Sequence, residues 1–255
     1  MSDIKEPGFF SISLNRRKPI ESEKDYLDLF DTNCKIIGES STRYFMDSQS
    51  PELIKKSIPD AKIIIILRDP VERAFSSYLY YLRRNTCNSF SKTIEKSLQE
   101  KLTDDYLLHL IINGGFYLKQ TKKFIELFGI ENVKILMYEN FFSQPEKYFS
   151  ELLLFLKINS SLPKLLNKKF NEYKKPKNNI SKFVLSFDDV LWNLGIKKFL
   201  KFLPSRKYLE NLHLDSPEKP HMDINDRKRL IQIYKNDVDA LREFLKMDLP
   251  WINFD

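Results

Sequence analysis

The apolar residues of this chain change period several times, and the changes predict alternating strands and helices. Ile63 to Leu67 form an uninterrupted apolar run, the pattern of a strand covered on both faces in a parallel sheet. A helix should follow at once, because Asp69 suits an N-cap, Pro70 suits the first helical position, and Glu72 completes a capping box with Asp69. That helix is predicted to run to Arg84. Lys35–Glu39 and Val133–Tyr138 read as two more short strands, and Pro51–Ile58, Phe90–Leu102, Asp104–Ile112, Gly115–Phe128 and Gln144–Leu156 as helices. From Asn159 on, the chain is mostly helical and lysine-rich. Residues 225–246 set Leu230, Ile233, Tyr234, Val238, Leu241 and Leu245 on one side of a last helix, which Trp251 is expected to seal against the core. The alternation predicts an α/β fold, a parallel sheet flanked by helices with a mostly helical C-terminal part.

Composition narrows the class. A chain of 255 residues, 42% hydrophobic and 13% aromatic, can bury one sizeable core, and without repeats or a long linker a single domain over 1–255 is expected. No stretch has the apolar length of a membrane span and the amino end lacks the layout of a secretory signal, so a cytoplasmic location is expected. Cys34 and Cys87 are too few for a disulfide framework, and Cys34, preceding an apolar strand, is expected to be a buried thiol. His109, His213 and His221 lack ligand spacing, so no metal is expected.

A net charge of +7 and a pI near 9.1 imply an anionic partner. No nucleic-acid-binding fold accompanies the charge, so nucleic acid is not the expected one. Lys164, Lys168, Lys169, Lys174, Lys175 and Lys177 either line a groove for an acidic glycan or belong to a solvated loop. Residues 189–207, apolar and basic by turns, are either an interfacial helix making peripheral membrane contact or an amphipathic helix packed on the core.

The strand-to-helix junction is the richest in chemistry. Arg68 falls at the carboxyl end of the strand and Ser76 on the second turn of the helix, and open α/β sheets bind ligands in the crevice at such ends. A guanidinium fork and a hydroxyl suit a phosphate. The same residues could instead pair with a carboxylate and pack against a neighbouring helix.

ILRDPVERAFSSY at 66–78 resembles the 3′-phosphate-binding segment of sulfotransferases that use 3′-phosphoadenosine 5′-phosphosulfate (PAPS), and the Arg68 to Ser76 spacing matches that pattern. Three other segments align with the heparan-sulfate-type and bacterial carbohydrate branch: KEPGFF at 5–10, GESSTRYF at 38–45, and the stretch from Gly114 to Leu156. The resemblance implies a P-loop-like α/β domain, PAPS as donor, no metal, and a carbohydrate or glycolipid hydroxyl or amine as acceptor. It makes Glu6 the catalytic base that deprotonates the acceptor, and assigns the 3′-phosphate to Arg68 and Ser76. Lys219, in PEKPHMD at 217–223, takes the place of the lysine on the loop that closes over the nucleotide. Tyr117 either shapes the site or packs in the core. Pro7 is expected to bias Glu6 toward an extended backbone, with Phe9 and Phe10 anchoring the segment.

The chain departs from the family at several positions. Gly8 stands where relatives often have histidine, Ser11 where some have aspartate, and Ser40 where lysine is common. No Lys-x-Gly-Thr-like turn, the family's cradle for the 5′-phosphosulfate, is present, since none of the six glycines is followed by threonine. The expectation is an amino-terminally truncated domain missing its first strand, with an open sheet edge beside Lys62–Leu67 that promotes association, and with sulfuryl transfer by this chain alone absent or very slow because the donors that would stabilise the leaving bisphosphate are missing. Two other readings stay open: a non-catalytic remnant that binds nucleotide or acidic glycan, and a basic membrane-surface interaction protein.

Overall fold

The computed structural model describes residues 2, 5–12, 20, 22–30, 33–34, 36–82, 89–99, 110–162, 175–181, 183–184, 187, 206–215 and 220–255. They form two compact units, one of Met1–Pro70, Asn113–Leu166 and Gln232–Asp255, the other of Val71–Ile112 and Asn167–Ile231.

In the first unit, β1 (Ile63–Leu67) pairs in parallel with β2 (Val133–Met137), in register from Ile63 opposite Val133 to Leu67 opposite Met137. The mixed α/β class is as expected. Burial of β1, however, alternates. Ile65 and Leu67 are buried, whereas Ile64 and Ile66 are 39% and 50% exposed, so the expectation of a strand covered on both faces is corrected. The apolar run records β-branched preference as well as burial, and β2 is the one strand paired with β1 among the described residues.

Helices α1 (Glu23–Leu27), α2 (Arg43–Met46) and α3 (Ser50–Ser57) precede β1. Residues 36–39 form no strand, and Ile36 and Ile37 are exposed. Two adjacent isoleucines carry too little apolar surface to hold a strand, and the Glu39 side chain is engaged by hydroxyl groups instead. Cys34 is exposed rather than buried, because the strand it was expected to precede does not form.

Between the strands in sequence, α6 (Leu118–Phe128) follows a 3-10 turn at Asn113–Gly115 and ends at Gly129, whose φ of 81° is readily adopted by glycine. After β2, the helix expected over Gln144–Leu156 is found as α8 (Pro145–Phe155), and a short helix that was not expected, α7 (Tyr138–Ser143), precedes it. Proline cannot continue α7 and suits the start of α8. Lys123 of α6 pairs with Glu52 of α3 at 2.6 Å. Phe45, Tyr117, Phe124, Phe128 and Trp251 build a continuous aromatic core.

The second unit contains α4, whose range is Pro70–Leu82, and α5 (Phe90–Gln99), joined through the Phe75, Tyr78 and Phe90 rings. The Arg73 guanidinium donates to the Leu110 and Ile111 carbonyls, and Arg227 pairs with Glu72 at 2.8 Å. Lys175–Pro176 (β3) and Leu214–Asp215 (β4) form a short antiparallel pair, with α9 (Arg206–His213) leading into it. The last helix, α10 (Ile224–Leu245), follows the predicted periodicity: Leu230, Tyr234, Val238 and Leu241 are buried, as is Trp251 beyond it. No helix among the described residues is long and apolar enough to cross a membrane. Most of the 164–177 lysine cluster, nearly all of 189–207, Cys87 and His109 lie outside the described residues.

Candidate active site

Arg68 follows β1 directly, and three contacts brace its backbone. Its carbonyl accepts from the Tyr117 hydroxyl at 2.9 Å, and the next amide, Asp69 N–H, donates to Glu139 Oε1 at 3.0 Å. The Asp69 carboxylate in turn accepts from the Asn253 side-chain amide at 2.8 Å. Tyr117 is itself fixed at the start of α6, where its N–H and that of Leu118 donate to Asp237 Oδ2 of α10 at 2.7 and 3.3 Å. Burial raises the Asp237 carboxyl above its usual range, and these two N–H bonds partly offset the shift. Tyr117 packs in the core against Phe45 and Trp251, and its hydroxyl also holds the Arg68 carbonyl.

The Arg68 guanidinium lies over the Tyr138 ring, 4.8 Å from its centroid. Its Nε is buried without a hydrogen-bond partner. A buried donor left unmet carries a cost in stability. The carboxylate pairing weighed from sequence has no counterpart among the described residues.

Glu6 sits in a segment held quite differently. Its φ is +54°, left-handed rather than extended, which corrects the expectation drawn from Pro7. A non-glycine residue in that region is strained and persists only when its surroundings enforce it. The surroundings are GESSTRYF and the residues after it. Thr42 Oγ1 donates to Glu6 Oε2 at 3.1 Å, Gly8 N–H donates to Ser41 Oγ at 3.0 Å, and Phe10 N–H donates to the Tyr44 hydroxyl oxygen at 3.3 Å. The other Glu6 carboxylate oxygen has no partner among the described residues. Phe9 stacks on Tyr26 at 4.5 Å, so the two phenylalanines do anchor the segment.

Gly8 has φ +64°, which helps account for its standing in place of histidine. Ser11 is buried and donates to Asp47 at 3.0 Å, which makes it a structural contact. Ser40 is exposed, and Ser76 is half-buried on α4 in the other unit. Lys219 lies outside the described residues. Sequence reasoning did not single out Tyr138, Glu139, Asp237 and Asn253 around Arg68, nor Glu39 behind Glu6. Glu39, Tyr138 and Glu139 do fall inside quoted family segments, which was the one signal that could have found them. No group of three or more histidines, cysteines or carboxylates suited to a metal occurs among the described residues.

The frame is mixed α/β, with an arginine at a strand end and a carboxylate on a strained loop. Residues 26–242 match the sulfotransferase domain family, and the chain belongs to it. The Caenorhabditis elegans bifunctional heparan sulfate N-deacetylase/N-sulfotransferase 1 is 25% identical over 223 residues, covering 87% of this chain and 23% of that protein. Mus musculus carbohydrate sulfotransferase 15 is 28% identical over 220 residues, covering 62% of this chain and 39% of that protein. The chain thus spans well under two thirds of the length of either relative. In fold, it is similar to a solved sulfotransferase from Alicyclobacillus acidocaldarius, with a TM-score of 0.67 and 22% identity over 97% of this chain and 85% of that one.

Proposed function

We propose that the chain transfers a sulfuryl group from PAPS to a hydroxyl or amine of a carbohydrate or glycolipid. Family membership supports sulfuryl transfer, and the glycans in the relatives' names support a carbohydrate acceptor. The observation that carries the donor side is the buried, unpartnered Nε of Arg68. A phosphate monoester satisfies that donor and matches the guanidinium fork.

On this reading Arg68 and Ser76 bind the 3′-phosphate, and Lys219 covers the nucleotide. Glu6 takes the proton of the acceptor group through its free oxygen. The acceptor oxygen or nitrogen bonds to sulfur while the bond from sulfur to the bridging phosphate oxygen breaks, and adenosine 3′,5′-bisphosphate leaves. No step uses a metal. The family match takes in residues of both units, which supports one sulfotransferase domain over 1–255.

A labelled-donor assay on wild type and Glu6→Gln tests the reading. A positioned base contributes about a hundredfold or more, so the variant should lose that much rate. An unchanged rate removes Glu6 as the base. Nucleotide binding by wild type without any turnover replaces the enzyme with a non-catalytic binder.

A further inference from the structure

Behind the Glu6 loop lies a carboxylate that the reaction scheme does not use. Glu39 Oε1 accepts from the Tyr44 hydroxyl at 2.5 Å and the Tyr26 hydroxyl at 3.1 Å, and Oε2 accepts from Ser41 Oγ at 2.6 Å. Two of those hydroxyls also face the loop, where Ser41 Oγ accepts Gly8 N–H and the Tyr44 oxygen accepts Phe10 N–H. A carboxylate only accepts, and a hydroxyl has a single proton. Each hydroxyl therefore spends its proton on Glu39 and keeps its lone pairs for an amide. Burial, reinforced by the adjacent Glu39 carboxylate, pushes both phenols far above their ordinary range, so the protons stay on the tyrosines.

The two amides flank Phe9, just past strained Glu6 and Pro7. A turn bond from Ser11 N–H to the Gly8 carbonyl at 3.1 Å and one from Ser50 Oγ to the Phe10 carbonyl at 2.9 Å close the same loop. These bonds fix the loop immediately downstream of Glu6, and Thr42 holds its carboxylate.

We propose that Glu39 is a positioning residue: by setting the direction of the Ser41 and Tyr44 hydroxyls, it clamps the Gly8 and Phe10 amides and so holds Glu6 in its strained, productive conformation. This rests on the reading of Glu6 as the base. Glutamine at 39 has the same shape but presents a donor to one arm. The hydroxyl on that arm then loses the acceptor for its own proton, and its orientation toward the amide is no longer enforced.

The test is amide hydrogen exchange, resolved by residue, on the full chain together with sulfuryl-transfer kinetics. Glu39→Gln should speed exchange at Gly8 or Phe10 about tenfold or more, the effect of losing one charge-assisted bond. Ser41→Ala should release Gly8 alone and Tyr44→Phe should release Phe10 alone, both milder changes that keep the packing. In Glu39→Gln, kcat should fall by a similar factor with KM for the donor unchanged. Unaltered exchange at both amides in Glu39→Gln overturns the proposal, as does faster exchange spread evenly over the chain. Local release with an unchanged kcat, where Glu6→Gln is inactive, also overturns it. An active Glu6→Gln removes the base assignment, while the exchange pattern still decides whether the clamp exists.

Discussion

Around Glu6 the backbone is strained and the Gly8 and Phe10 amides beyond it are hydrogen-bonded, whereas around Arg68 the backbone is braced and one side-chain donor is left over. Both arrangements cost stability, and they do so in different places. Strain at Glu6 is a cost of holding a group ready, and the folded chain bears it whether or not a ligand is present. The orphan Nε at Arg68 is a cost that, on the proposed function, an arriving anion removes. On the proposed function, the first pattern belongs to the group that acts and the second to the group that binds.

The largest expected effect would break the Arg68 side of this contrast. Arg68→Ala should weaken binding of adenosine 3′,5′-bisphosphate about tenfold or more, because charge-assisted bonds to the guanidinium are lost. Arg68→Lys should restore only part of it, since a point charge cannot fork onto two oxygens or lie flat on Tyr138. Calorimetry giving equal affinity for wild type and Arg68→Ala would refute the phosphate assignment.

On the other side, Glu6→Gly should abolish turnover and yet stabilise the fold. Relief of left-handed strain is worth about 1 kcal/mol, reduced somewhat by glycine's freedom in the unfolded chain, or a rise in Tm of about 2–4 °C. A lower Tm would show that the conformation carries no strain to release.

A smaller effect separates brace from contact. Tyr117→Phe keeps the ring against Phe45 and Trp251 but removes the bond to the Arg68 carbonyl, which should cost about 1 kcal/mol. Nucleotide affinity should fall less than in Arg68→Ala. A drop as large as that of Arg68→Ala would make the hydroxyl a ligand contact.

The smallest effect links the two regions. Lys123 joins α6, whose start carries Tyr117, to Glu52 of α3, whose start lies beside Asp47 and Ser50. The hydrogen bond from Lys123 holds the Glu52 carboxyl below its usual range. A depressed carboxyl stabilises the fold above its unfolded value, and that contribution disappears as pH falls below the ordinary 4.5. Because the pair is solvent-screened, the loss should be only a few tenths of a kcal/mol. Denaturant titrations of wild type and Glu52→Gln should converge at acid pH and differ slightly at neutral pH. A difference that grows on acidification would reverse the assigned sign.

Local signals carried much of the fold and the identity of the two key residues. The helix start at Pro70, the β2 run and the periodicity of α10 depend on short-range propensity and period, and all are found where expected. Glu6 and Arg68 were singled out because each falls in a short segment that resembles a sulfotransferase motif, and the structure shows the surroundings of both. Cys34, the missing strand at 36–39 and the open face of β1 were not legible, because burial depends on what lies opposite, and that is a property of packing.

By itself, then, the order of residues determined which groups are available and the local shape of the elements that carry them. Only the tertiary structure decided that Tyr117, Tyr138, Glu139 and Asn253 gather around Arg68 and Asp69, and that Glu39 stands behind the Glu6 loop. Around Arg68 the contacts join residues far apart in sequence, where no local pattern records a partner; the Glu39 bonds to Ser41 and Tyr44 are local, but those hydroxyls reach the Gly8 and Phe10 amides across a long stretch of chain. The left-handed turn at Glu6 has the same origin, since the preference imposed by Pro7 is local and weak, and several long-range hydrogen bonds acting together override it.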